Sequence, residues 1–103
     1  MQSSRFRSWL IEVKEKDSHQ ASDNISRVRR VEKAFSDIWQ VEIDIDDEYE
    51  RDKCEEILSK LSVSARKEFG KEINLPTNTT GISQLKTSLK NYVEFYESDY
   101  CER

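Results

Sequence analysis

Four cations crowd together at Arg27, Arg29, Arg30 and Lys33, with Glu32 the only acid among them. On a helix, Arg27 and Arg30 are neighbours three apart and Arg29 and Lys33 four apart, so they form two adjacent exposed rows. Positive charge gathered on one helical face is what neutralises a run of phosphates. Arg5 and Arg7 upstream, and Lys86 and Lys90 near the C-terminus, extend the candidate patch. The competing reading is a solvated face whose cations pair with Glu32 and with the acids downstream. A net charge of -4 favours that competitor, because overall acidity opposes non-specific nucleic-acid binding.

Those downstream acids are the second concentration of charge: Glu42, Asp44, Asp46, Asp47, Glu48, Glu50 and Asp52. A calcium loop begun at Asp44 would end on Glu55 as required, but its obligatory glycine falls on Tyr49. No metal is expected there. Two accounts remain. Asp46, Asp47 and Glu48 suit the positive end of a helix dipole. Alternatively, Asp44, Asp46, Asp47 and Glu48 form an acidic face that occupies the basic surface of a protein partner.

Other chemistry is thin. His19 sits in a polar stretch with no Cys, Ser or carboxylate at a spacing that would make it a base. No phosphate-cradling GxxxxGK[ST] or GxGxxG run occurs. Cys54 and Cys101 lack metal-binding spacing and read as free thiols. The expectation is a chain with no cofactor and no catalytic set of its own.

The elements that must position these residues follow from composition and period. A chain of 103 residues has room for a single domain over 1–103. Its 2 Gly and 1 Pro supply too few turns for a many-stranded fold, and 10% aromatic residues argue against disorder. No apolar run approaches the roughly 20 residues of a membrane span. With no leader-like stretch at Met1 to Arg7, a cytoplasmic protein is expected. Charge is uneven: residues 41–60 hold nine acids and three bases, whereas residues 1–40 hold eight bases and six acids.

Phe6, Trp9, Leu10 and Val13 mark the face of a first helix capped by Ser3 or Ser4. A polar connection at Lys16 to Ser22 leads to a second helix from Ser22 or Asp23. It buries Ile25, Val28, Val31 or Glu32, Phe35 and Ile38, with Trp39 folding back under its end. Val41 to Asp46 alternates apolar and acidic residues but has no partner strand, so it reads as an extended connector burying Ile43 and Ile45. A third helix over Glu48 to Leu61 buries Tyr49, Cys54, Ile57, Leu58 and Leu61. A short fourth runs from Ser62 to Phe69, capped by Ser62 or Ser64 and stopped by Gly70. After a loop at Lys71 to Thr80, a last helix over Ile82 to Glu97 buries Ile82, Leu85, Leu89, Tyr92, Val93 and Tyr96. The predicted architecture is all-α: a compact orthogonal bundle of four to five helices.

Phe6-Arg7-Ser8-Trp9-Leu10, Ile25 to Glu32 and Leu85 to Phe95 together resemble the SAM-like, core-binding N-terminal domain of tyrosine recombinases, the phage integrases. The middle, Asp44 to Asp52 followed by Ile57 to Ser64, is similar to related N-terminal domains of restriction-type nucleases. The resemblance covers nearly the whole chain and rests on helical pattern and residue type. It implies a domain that clamps double-stranded DNA with basic helices, through Arg27, Arg29, Arg30 and Lys33, with Lys86 and Lys90 as lesser contacts. The recombinase's catalytic Arg, His and Tyr set has no place in this length, so the implied role is accessory. The acidic segment and the polar connector at Asp17 to Ala21 depart from the family pattern. A further possibility is self-association through exposed Phe95, Tyr96 or Tyr100.

Overall fold

The structure, a computed structural model, describes residues 1–102. Six helices form, with no strand among the described residues: α1 (Ser3–Glu12), α2 (Ser18–Trp39), α3 (Ile45–Asp52), α4 (Glu55–Lys60), α5 (Val63–Arg66) and α6 (Thr79–Tyr96). The all-α bundle expected from the sequence is what the chain builds. It has one more helix than foreseen.

α1 buries Phe6, Trp9 and Leu10, as their spacing predicts. Val13 does not join them: it is the residue that ends the helix and lies 48% exposed. The N-cap position is Gln2, with no side-chain cap from Ser3 or Ser4. α2 starts earlier than Ser22 because Asp17 caps it. The Asp17 carboxylate accepts from the Gln20 amide at 2.8 Å, and the Gln20 side chain accepts from the Asp17 amide at 3.1 Å. This reciprocal pair satisfies two helix-end donors at once. Trp39 stays in the helix, its ring 5.1 Å from that of Phe35, and does not fold back beneath it.

The connector after α2 finds its hydrogen bonds on side chains. The Ile43 amide donates to Ser36 Oγ and the Ile45 amide to Glu32 Oε2, both at 2.9 Å. Two donors that a partner strand would have taken are thus met by α2. Burial pushes the Glu32 carboxyl above its ordinary range, while the Ile45 hydrogen bond pulls it back. Ile45 is fully buried and Ile43 partly so, as expected of the connector.

The predicted third helix is two. Lys53 and Cys54 both take left-handed backbone, with φ of 58° and 62°, and the chain turns there. The turn sends Cys54, Ile57 and Leu61 inward, with Tyr49 and Leu58 half-buried against them. Ser62 caps α5 through the Ala65 amide. That helix stops at Arg66, short of Phe69, and Gly70 does not adopt the left-handed stop conformation. Asn78 accepts from the Gly81 amide at 2.7 Å and so starts α6 before Ile82. Gly81 is needed for closeness: a Cβ there would lie 2.5 Å from the Pro76 ring.

α2 is the central helix, packed on α1 and α6. The core is one cluster, with Phe6 at 4.9 Å from Tyr92 and 5.4 Å from Phe95, ring to ring. Phe95 is fully buried, Tyr96 is 7% exposed and Tyr100 is half-buried, so the first two rings are not exposed as expected. Among the described residues, no helix is long and apolar enough to cross a membrane.

Candidate nucleic-acid interface

At about 100° per residue, Arg29, Lys33, Arg30 and Arg27 spread over roughly 160° of the α2 circumference. They span the outer half of the helix rather than one flat row. Arg29 leans to α1 and donates to Ser3 Oγ at 2.9 Å. Lys33 pairs with Asp37 at 2.7 Å on the outside. Arg30 turns to the loop before α6 and donates through Nε to the Asn74 carbonyl at 3.0 Å. Arg27 is half-buried on the α6 side and has no ion-pair or hydrogen-bond partner among the described residues. None of the four pairs with Glu32 or the acidic segment, and Lys33 is the one of them held by a carboxylate, Asp37 on its own helix.

Two grooves flank the N-terminal half of α2. The α1–α2 groove encloses about 300 Å³ and is lined by Ser3, Ser4, Ser22 and Ser26 around Arg7 and Arg29. Arg7 spans it, donating to Ser22 Oγ at 2.8 Å and Ser18 Oγ at 2.6 Å. The α2–α6 groove encloses about 460 Å³. Lys16 and Arg27 stand on one wall, and short hydroxyl and amide side chains of α6 form the other. Neither groove is lined by a carboxylate. Lys86 and Lys90 do not line this groove, though at about 100° per residue Lys90 lies only about 20° round α6 from Ser83, and neither carries an ion pair among the described residues.

Most of the acidic residues have partners within the chain, although Glu42, Asp44, Asp47 and Glu50 are exposed. Asp44 caps α3 through the Asp46 amide and lies 3.4 Å from the N-terminal ammonium. Asp46 accepts a short 2.5 Å hydrogen bond from the Tyr92 hydroxyl. Glu48 is buried and holds Arg51 at 2.7 Å, and Arg51 also reaches Glu56 at 2.8 Å. Asp47 is exposed without such a partner. Glu50 accepts from the Tyr96 hydroxyl at 2.9 Å, which together with burial pushes that phenol up to about 12. α3 therefore lies against the Tyr92 and Tyr96 side of α6, roughly 140° round that helix from the groove stripe. No group of His, Cys, Asp and Glu that could hold a metal occurs among the described residues.

One functional-looking cation escaped sequence reasoning altogether. Arg66 is buried, and its guanidinium donates to the carbonyls of Leu75 and Ile73 at 3.2 Å and of Phe69 and Gly70 at 3.4 Å. It holds the loop that Arg30 also grips. Nothing in its spacing distinguished it from a surface charge. Cys54 and Cys101 are free and buried, and burial first pushes the Cys54 thiol up to about 12, with nearby carboxylates adding to the shift. His19 is exposed, 3.5 Å from Asp23, with no nucleophile beside it. No protein-family model, curated protein or solved structure matches this chain.

Proposed function

We propose that this chain is a non-catalytic helical DNA-binding domain, of the SAM-like, core-binding kind that accompanies an integrase or a nuclease. The observation that carries the reading is charge segregation. In a chain of net charge -4, both grooves beside the start of α2 hold two cations and no carboxylate. Seven of the 21 acids lie on α3 and the first turn of α4, most of them engaged there by tyrosines, Arg51 and helix ends. Asp23 and Asp37 stand on α2 itself, against His19 and Lys33. Phosphates of a duplex laid along α2 would meet Arg7 and Arg29 on one side, Lys33 and Arg30 in the middle, and Arg27 on the other. Serine hydroxyls beside the arginines are ordinary phosphate partners. Lys86 and Lys90, beside Ser83 and Thr87 on α6, would be lesser contacts. The acidic-face reading has less support, since Asp44, Asp46 and Glu48 already have partners within the chain.

A mobility-shift titration with random-sequence duplex at several salt concentrations is the test. Affinity should fall steeply with salt, and an Arg27→Ala/Arg29→Ala double variant should lower the log–log salt slope by about 2. Wild-type behaviour of that variant, or binding that ignores salt, removes the proposal. Capture of a basic protein that is lost with Asp47→Asn would favour the acidic face instead.

A further inference from the structure

The α2–α6 groove has features that a general phosphate surface does not need. Lys16 and Arg27 are both half-buried, line the same groove, and have no anionic partner among the described residues. Lys14, Lys33 and Arg51, by contrast, each pair with a carboxylate within 3 Å. Opposite them, Thr80, Ser83, Thr87 and Asn91 form a stripe along α6. From Thr80 to Asn91 it runs for about 16 Å at the helical rise. Asn91 donates one of its two amide hydrogens to Asn24 Oδ1 at 3.1 Å, which leaves the other hydrogen and its own Oδ1 for a ligand. The lining contains no carboxylate, aromatic or aliphatic side chain. Such a wall has no aromatic ring for a base to stack on, and its polar groups are two cations, hydroxyls and amides. It offers the cations to an anion, with the hydroxyls and amides to a polyol.

We propose that this groove is a sugar–phosphate site. The phosphate would sit between Lys16 and Arg27, and the sugar hydroxyls or ring oxygen would lie along Thr80, Ser83, Thr87 and Asn91. It rests on the DNA reading for one source of that ligand, the duplex backbone, and on the groove alone for its chemistry. A free phosphorylated sugar is the other source. The groove volume of about 460 Å³ accommodates one or two such units.

The experiment is amide NMR titration of the full chain with inorganic phosphate, ribose 5-phosphate and a short duplex, each alone and in competition. Ribose 5-phosphate should bind more tightly than phosphate and shift the amides of Ser83, Thr87 and Asn91. Lys16→Ala/Arg27→Ala should weaken both at least about tenfold, the cost of charge-assisted contacts. Thr87→Val with Ser83→Ala should weaken only the sugar phosphate. Displacement of the sugar phosphate by duplex identifies the backbone as the source; binding without such displacement identifies the free sugar phosphate and leaves DNA to the α1 side. Duplex shifts confined to Arg7, Arg29 and Lys33, with a silent groove for all three probes, overturn the groove while sparing the DNA reading. Equal binding of phosphate and ribose 5-phosphate, unchanged by Thr87→Val with Ser83→Ala, also overturns it.

Discussion

Arg66 shows what one buried cation can do without a counter-ion. Its planar fork is matched to carbonyls, and four of them surround it. Deleting it would strand the buried carbonyls of Ile73 and Leu75, which costs more than their hydrogen bonds themselves are worth, while those of Phe69 and Gly70 are only part-buried. Arg66→Ala should lower unfolding stability by about 3 kcal/mol in urea titration, and Arg66→Lys should recover little of it, because an ammonium cannot bridge the same set. A loss below about 0.5 kcal/mol would mean that the loop holds itself. The residue was not legible beforehand. The sequence marks Arg66 only as part of a short fourth helix, and it is the return of Ile73 and Leu75 to the core that surrounds it with carbonyls. The α2 cations, by contrast, were legible from the one line of sequence. Their partners were not, because Ser3 and Asn74 come from distant segments.

Among the elements, boundaries moved for reasons that can be named. Asp17 with Gln20 is a capping pair, and its three-residue spacing was present in the sequence; the surrounding polar residues disguised it as a connection. The break between α3 and α4 carried no comparable signal. Two successive left-handed residues occur at Lys53 and Cys54, where glycine is the residue that marks such a turn. Only the demand that both Ile45 and Ile57 be fully buried forces it. Lys53 is exposed, so relief there is simple to test: Lys53→Gly should stabilise the chain by about 0.5–1 kcal/mol, read as an upward shift of the thermal midpoint. A drop instead would show that the turn is not strained. The apolar faces of α1, α2 and α6 needed no such correction at Phe6, Val28 or Leu89, since helical period is the strongest signal a sequence carries.

For the molecule as a whole, the joint between α3 and α6 is made of phenols and carboxylates. Burial and the Asp46 hydrogen bond hold the Tyr92 phenol well above its ordinary value, and Glu50 raises that of Tyr96 to about 12. Both groups bind their proton more tightly folded than unfolded. The stability this contributes is complete below the ordinary tyrosine value of 10.0 and is lost as pH climbs through the folded values. Urea midpoints should therefore hold steady up to pH 10.0 and fall from there toward about 12. Tyrosinate absorbance should rise with unfolding rather than before it. Tyr92→Phe should flatten part of that fall, and a slope identical to wild type would place the alkaline sensitivity elsewhere.

The loop before α6 is the longest stretch without a helix, and its three successive carbonyls at Ile73, Asn74 and Leu75 all end on arginines from two different helices. Mechanically it is a strut. Arg30 ties α2 to it and Arg66 ties α5 to it, so α2 is tethered against turning about its own axis. The azimuth of its cations is thereby set before any ligand arrives, and a binding partner must conform to this molecule more than the molecule to it.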